Sequence, residues 1–446
     1  MKKKPALLSP GRILAAGFLG IILAGALLLS LPFANRTGRP LPFLDCLFTS
    51  TSATCVTGLV AADTWTQFNG LGQLILLVLI QVGGLGYMTM VLMASMLLGR
   101  KISLRQRDLM LESVSAERLS DVYVLLRYIL RGTAAIECAG AALLAFRFVP
   151  ELGWGRGLWY SVFHSVSAFC NAGFDLMGFR EPYSSLTHYA DDPLVNLTVC
   201  ALVLLGGLGF LVWREVWEKG PRLRRYTLHA KIMLSATLIL TLGGAILFWL
   251  AERDNLLSGM APGEQALASL FQAVSPRTAG FNTVDLARLT SAGGLLTIAL
   301  MFIGAGPGST GGGVKVNTFA VLVLGVRARV WRQGDVNAFR RRLDEGDIHK
   351  AYSTAGMYLF GALLGCMMLC VQGAALTDAL FETFSAMSTV GLSRNLTASL
   401  PVLSKWTVIL MMFAGRVGSM SVAMAVTKGR DAQNGLRYVP EKILIG

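Results

Sequence analysis

The chain has 446 residues, 54% of them hydrophobic and only 15% charged, with a mean hydropathy of +0.57 and a formal net charge of +14. Soluble domains carry about 25% charged residues, so this composition excludes an ordinary soluble protein and marks an integral membrane protein. The 7 cysteines are scattered without a CxxC pair and only 4 histidines occur, which argues against a zinc site, a redox site or a disulfide framework.

The opening MKKKPALLSPGRILAAGFLGIILAGALLLSL mimics a signal peptide. Its apolar run is long and lacks a convincing small-residue cleavage site, so it reads as a first membrane helix with its lysines inside. Eight long apolar segments follow one another at roughly 12–34, 70–99, 122–146, 193–213, 230–250, 291–326, 350–373 and 403–427. A helix needs about 20 residues to cross the hydrocarbon. Segment 122–146 contains Arg127, Arg131 and Glu137, segment 291–326 is too long for one simple crossing, and the last contains Arg416. Shorter half-apolar stretches lie at about 42–54, 158–170, 265–277 and 376–388. Each has about a dozen residues, a length that suits a buried or re-entrant helix. The order is long, short, long, repeated four times.

Charge gives the orientation. Arg100, Lys101, Arg105, Arg107 and Arg118 follow the first pair of long segments, and Arg214, Lys219, Arg222, Arg224 and Arg225 follow the second. Arg327, Arg329, Arg332, Arg340, Arg341 and Arg342 follow the third, and Lys428, Arg430, Arg437 and Lys442 the fourth. The connections holding the short stretches are far poorer in lysine and arginine. Basic loops face the cytoplasm, so both termini lie inside and the short stretches lie on the outer side. The +14 charge is then topology rather than nucleic-acid recognition. Every unit starts and ends on the same side, giving parallel repeats: 1–99, 100–228 with its preceding cytoplasmic link, 229–342 and 343–446 with a cytoplasmic tail. The fold expected is an all-α polytopic membrane protein, four parallel units around one central pathway, with eight spanning and four re-entrant helices.

The short stretches share an ending. LFTSTSATCVTGLV turns around Gly58, VFHSVSAFCNAGFD around Gly173, LFQAVSPRTAGFNT around Gly280 and LFETFSAMSTVGLS around Gly391, with the third one residue shorter. A chain that enters the membrane, turns and leaves must hide its backbone groups in protein or a water-lined cavity. Glycine permits the tight geometry, and four such turns would aim carbonyl oxygens at a dehydrated monovalent cation. The helix C-termini beside them favour a cation. The filter candidates are Thr54, Cys55, Val56, Thr57 and Gly58; Cys170, Asn171, Ala172 and Gly173; Thr278, Ala279 and Gly280; and Ser388, Thr389, Val390 and Gly391. Tight structural turns are the plainer alternative. Cys55 and Cys170 read as small packed side chains, and His164, with Gln272 and Glu382 at similar places, as a supporting hydrogen-bonding group. Asp45, Asp175 and Asp285 either add negative potential at the outer mouth or are ordinary solvated carboxylates.

Glycines also crowd the second long segments: QVGGLG at 81–86, LLGGLG at 204–209, GPGSTGGG at 306–313 and FAGRVG at 413–418. Close helix packing accounts for Gly83, Gly84, Gly86, Gly206, Gly207 and Gly209. The third run differs. It resembles a phosphate-binding loop, but Gly312 stands where the Walker lysine belongs in one register and Val314 in the other. Gly304, Ala305, Gly306, Pro307, Gly308, Ser309, Thr310, Gly311, Gly312 and Gly313 cannot sustain a regular helix, so an unwound segment meeting the pathway below the filter is expected. Arg416 is an isolated intramembrane charge. It forms either a barrier to cations and an anchor for the loop's carbonyls, or a structural pair with Glu137 or Glu382. Lys315 either lines the inner vestibule or pairs with phosphate headgroups. Arg277 either braces the filter backbone or pairs with a neighbouring repeat.

SATCVTGL, SAFCNAGF, TAGFNT and STVGLS, together with GPGSTGGGVK and GRVG, resemble the Trk/Ktr/HKT superfamily of potassium transporters, nearest its KtrB-type membrane subunits. The resemblance covers nearly the whole chain. It implies four M1-P-M2 units in pseudo-fourfold arrangement, with filter glycines at Gly58, Gly173, Gly280 and Gly391. It further implies an intramembrane gating loop at 304–313 and a last-repeat arginine at Arg416. The implied function is K+ uptake across the bacterial plasma membrane, with no resident cofactor and with sodium as a stimulant. The implied partners are a second copy, as a homodimer, and a cytosolic nucleotide-binding KtrA-type ring. Gly311 stands where many relatives have alanine. An alternating-access secondary transporter for another cation or solute is the competing function. No carboxylate pair, nucleophile triad or nucleotide motif supports an enzyme.

Overall fold

A computed structural model describes residues 10–39, 41–86 and 121–418. The first group of helices is α1 (Pro10–Leu29), α2 (Phe43–Thr54) and α3 (Gly70–Leu85). The second is α4 (Asp121–Leu152), α5 (Trp154–Phe169), α6 (Pro193–Leu208) and α7 (Phe210–Lys219). Then follow α8 (Leu228–Glu252), α9 (Pro262–Val274), α10 (Ser291–Phe302) and α11 (Val316–Val330), and finally α12 (Glu345–Val371), α13 (Leu376–Met387) and α14 (Val402–Val417). A hairpin pairing Asn337–Ala338 with Arg341–Arg342 joins the last two groups. The expected repeat boundary at 99/100, the basic stretch behind it, and the basic residues at both termini lie outside the described residues.

Around an apolar core, the surface departs from that of a water-soluble protein. On α8, Leu238, Ile239, Leu242, Ile246, Leu247 and Leu250 are exposed, whereas α2 buries Thr49, Ser50, Thr51, Ser52 and Thr54 completely. A leucine-rich surface around an interior that admits fully buried hydroxyls suits a hydrocarbon solvent. Three of these hydroxyls are satisfied by carbonyls: Thr49 and Thr51 donate to those of Asp45 and Leu47, both at four residues' distance, and Ser50 donates to the Ile22 carbonyl of α1, whereas Thr54 Oγ1 has no partner among the described residues.

Among the described residues four helices, α1, α4, α8 and α12, are long and apolar enough to cross a membrane. The second helices are shorter than the expected spans. α3, α6 and α14 have 16 residues each, about 24 Å at 1.5 Å per residue. Segment 193–213 is therefore not one crossing: α6 stops at Leu208 and α7 leaves it at 96°. The turning residue, Gly209, has φ +93, and a Cβ there would lie 2.6 Å from the Pro307 carbonyl oxygen. Gly86 and Gly418 end α3 and α14 in the same way, with φ +85 and +95. Close packing thus accounts for Gly83, Gly84 and Gly206, where a Cβ would strike Thr54, Cys170 and Phe169, but Gly86 and Gly209 are helix terminators. Segment 291–326 breaks as expected, with residues 303–315 unwound between α10 and α11.

Packing follows a regular rule. Each long first helix packs along the short helix that follows it: α1 on α2, α4 on α5, α8 on α9 and α12 on α13. Each short helix also meets the second helix of the preceding group: α5 on α3, α9 on α6, α13 on α10 and α2 on α14. The last of these contacts brings the end of the chain back to its beginning.

Candidate functional site: four glycine turns above a buried loop

Each short helix ends in the same backbone conformation. Val56, Asn171, Thr278 and Thr389 have φ of +56, +58, +72 and +52, and the glycine two residues later is also positive, at +98, +67, +81 and +97. Left-handed residues are costly outside glycine, so four repeats of this alternation reflect one imposed geometry. A backbone bond holds three of the turns alike: the amides of Thr57, Ala172 and Val390 donate to the carbonyls of Ser52, Ser167 and Ser385, each at 2.8 Å. The third turn absorbs its missing residue by shortening this link, with Ala279 donating to Ser275, four residues back, at 2.9 Å.

The four turns meet one another. A Cβ on Gly58 would lie 2.7 Å from the Ala172 carbonyl oxygen, and one on Gly173 would lie 2.7 Å from that of Ala279. One on Gly280 would lie 2.6 Å from that of Val390, and one on Gly391 2.1 Å from that of Thr57. The contacts run in chain order and close. The glycines therefore permit backbone-to-backbone approach that no other residue allows. All four line one outer cavity of about 660 Å³, which also takes in Asp63, Asp175 and Asp285. Burial pushes the Asp175 carboxyl up to about 7, so its charge is present in alkaline medium and lost on acidification. Asp45 instead pairs with Lys405 at 2.5 Å and is not among the residues lining this cavity.

Sequence reasoning missed the serines that brace the turns. Ser52 and Ser385 accept hydrogen bonds from the Gly58 and Gly391 amides, each at 3.0 Å. Ser167 donates to the Phe174 carbonyl at 2.7 Å, and Ser275 donates to that of Phe281. The signal was present: a serine stands six residues before the glycine in three repeats and five before it in the third. Stranding a buried amide costs about 1–3 kcal/mol. Ser385→Ala is accordingly expected to destabilise the chain by about 1–3 kcal/mol in a thermal melt, while Ser399→Ala leaves the melt unchanged.

Of the three supporting groups expected behind the turns, His164 and Glu382 are engaged, whereas the buried Gln272 amide finds no hydrogen-bond partner among the described residues. His164 lies 2.8 Å from the Tyr160 carbonyl through Nδ1, and its Nε2 accepts from the Leu176 amide at 3.3 Å. Glu382 accepts from Ser393 at 2.8 Å and from Thr397. Glu137 accepts from Gln81 at 3.0 Å, and Cys170 contacts Gln81 at 3.4 Å. Arg277 takes neither expected partner: it reaches back to Thr241 and Thr237 of its own group's α8, at 3.3 and 3.4 Å.

The unwound segment lies against the turns. A Cβ on Gly311 would lie 2.1 Å from Thr278 Oγ1, and one on Gly312 2.2 Å from Thr389 Oγ1. The loop is tied to α6 and α7: Gly306 donates to Gly207 at 2.8 Å, Thr310 to Gly206 at 3.3 Å, and the Phe210 amide to Gly308 at 2.9 Å. Lys315 caps the loop itself, donating to the Gly311 carbonyl at 2.7 Å. Arg416 pairs with neither Glu137 nor Glu382. Its guanidinium donates to the carbonyls of Thr310 in the loop and of Gly83 and Gly84 at the end of α3.

Short helices ending at converging backbone turns, inside a shell of lipid-facing leucines, define a polytopic all-helical membrane protein built around a polar interior. Residues 15–434 match the TrkH family model, described as cation transport protein, and the chain belongs to that family. It is 38% identical to the potassium/sodium uptake protein NtpJ of Enterococcus hirae, over 98% of each chain. It is 40% identical to the Ktr system potassium uptake protein B of Vibrio alginolyticus, over 98% of this chain and 94% of the relative. The fold is similar to the crystal structure of the potassium transporter TrkH from Vibrio parahaemolyticus, with a TM-score of 0.75 at 18% identity, covering 96% of this chain and 87% of that one.

Proposed function

We propose that the protein takes up potassium across the bacterial plasma membrane by a channel-like route, without enzymatic chemistry. The observation that carries this reading is the closed succession of four glycine turns, each abutting the carbonyl oxygen of the next. Four sets of carbonyls around one axis can replace the hydration shell of a potassium ion, and the C-terminal ends of α2, α5, α9 and α13 beside them favour positive charge. The relatives' roles in potassium and potassium/sodium uptake support the choice of cargo.

The architecture belonging to this reading is four parallel units, 1–99, 100–228, 229–342 and 343–446, in pseudo-fourfold arrangement, with eight spans and four re-entrant helices. The cyclic packing of each short helix on the preceding second helix supports it. The filter comprises the residues from Thr54 to Gly58, Cys170 to Gly173, Thr278 to Gly280 and Ser388 to Gly391, and the loop from Gly304 to Gly313 is the gate. A homodimer resting on a cytosolic KtrA-type ring is the assembly in which that gate is controlled, and sodium acts as a stimulant rather than a resident cofactor.

The test is flux of potassium, rubidium and sodium into vesicles holding the full chain, with and without the cytosolic partner. Potassium and rubidium entry well above sodium entry is expected, with the partner changing the rate and not the order. Sodium entry equal to potassium entry would overturn the filter assignment.

A further inference from the structure

The loop is bonded to a helix that does not continue across the membrane. α7 leaves α6 at 96°, so if α6 follows the membrane normal, α7 runs along the inner face. Its composition suits that plane. Trp217 is 82% exposed, Val216 is exposed, and Leu223 in the following turn is 62% exposed. Tryptophan with aliphatic neighbours and flanking arginines is the pattern of a segment seated at headgroup level. Arg222, Arg224 and Arg225 follow within six residues of the helix end, all exposed. No carboxylate pairs with these three among the described residues, whereas Arg214 and Lys219 are already paired with Glu218 and Glu215.

Two routes connect this segment to the loop. The direct one is the Phe210 amide on Gly308, at the first residue of α7. The second passes through α8. Glu215 of α7 accepts from the Thr227 amide and hydroxyl, both at 2.8 Å, and His229 of α8 meets Asn317 of α11 at 2.8 Å, two residues beyond Lys315. Any displacement of α7 must therefore break or carry the loop's attachments on both sides.

We propose that α7 and the 222–225 turn read the inner leaflet. Anionic phospholipid headgroups, bound by Arg222, Arg224 and Arg225 with Trp217 and Leu223 in the interface, hold α7 in the plane of the membrane and so hold the loop beneath the turns. The occupant is a lipid rather than a protein because exposed tryptophan and leucine accompany the unpaired arginines, and each arginine near an anionic leaflet gains attraction from its surface potential. The gating consequence rests on the proposed role of the loop.

The experiment uses the full chain without its cytosolic partner, in vesicles of phosphatidylcholine alone and of phosphatidylcholine mixed with phosphatidylglycerol. Rubidium flux is expected to be at least about fivefold lower with phosphatidylglycerol, the low end of ordinary coupling between sites. This sign is diagnostic, because a negative surface concentrates cations and would by itself raise flux. The triple variant R222Q/R224Q/R225Q is expected to lose the difference and conduct at the higher rate in both. Quenching by brominated phosphatidylglycerol, taken as the difference between the intact chain and W217F, reports the docking separately. Equal wild-type flux in the two compositions overturns the proposal, as does a triple variant that keeps the difference. Absence of Trp217 quenching overturns it, and protection of the segment in a second arm with the cytosolic ring added then assigns the face to a protein. Deleting 308–312 reports independently on the gate: higher flux there with no lipid effect elsewhere rejects the lipid reading alone.

Discussion

Replacing Gly391 with serine is expected to reduce potassium-over-sodium discrimination by about tenfold or more. Two costs fall on the same atom set. The residue sits at φ +97, a conformation that strains any side chain, at roughly 1–3 kcal/mol. Its Cβ would also lie 2.1 Å from the Thr57 carbonyl oxygen and 2.8 Å from the Gly58 Cα. The flexible end of a side chain could swing aside; this neighbour is backbone, so the first turn must move. The moved atom is one of the carbonyls proposed to face the ion, and about 1.4 kcal/mol lost from one cation relative to another is tenfold. Gly58→Ser meets the Ala172 carbonyl at 2.7 Å and should act in the same direction with a smaller effect. Gly38 supplies the control, since it also has a positive φ but nothing within 4 Å of its would-be Cβ. Gly38→Ser should leave the ratio untouched. Flux ratios in vesicles decide the matter, and an unchanged ratio at both Gly391 and Gly58 would sink the filter assignment.

The turns were legible in the sequence because the signal was repeated. One glycine after a dozen half-apolar residues says nothing, but four at spacings of 115, 107 and 111 demand a common cause. The break in the third second helix was legible for a different reason: glycines and a proline at that density cannot hold a helix. The breaks at Gly86, Gly209 and Gly418 were not. A lone glycine in a membrane helix serves either packing or termination, and only its φ separates the two. Aligning the four glycine runs would have hinted that they share the depth at which the third one breaks. Arg277 was misplaced because it lies within the one turn that is a residue short, and its partners, the hydroxyls of Thr241 and Thr237, carry no charge that would mark them in the sequence. The anchoring of the loop's carbonyls by Arg416 stood among the readings the sequence offered, but its bonds to the end of α3 and the Lys315 cap on Gly311 were hidden. Both side chains donate to backbone carbonyls, which every residue possesses, so no residue type elsewhere in the chain announces the pairing.

That backbone pairing makes Arg416 the residue whose loss should change flux most. Its guanidinium joins the loop at Thr310 to the end of α3 at Gly83 and Gly84. Hydrogen bonds from a charged donor contribute about 1.5–3 kcal/mol each, so removing them shifts a two-state loop by roughly thirtyfold for about 2 kcal/mol. Arg416→Gln is expected to raise partner-free rubidium flux by that order. Removal of a positive charge from the cation path would raise flux too, and Arg416→Lys separates the causes. Lysine keeps the charge but lacks the planar fork that reaches two carbonyl groups at once. If the tie holds the loop, the lysine variant conducts nearly as fast as the glutamine one; if the charge alone is the barrier, it stays near the intact rate. Deleting 308–312 completes the comparison, because the tie then has no loop to hold. Adding Arg416→Lys to that deletion should leave flux where the deletion put it. A deletion that conducts no faster than the intact chain would make the unwound segment a structural kink, and Arg416 its brace rather than its latch.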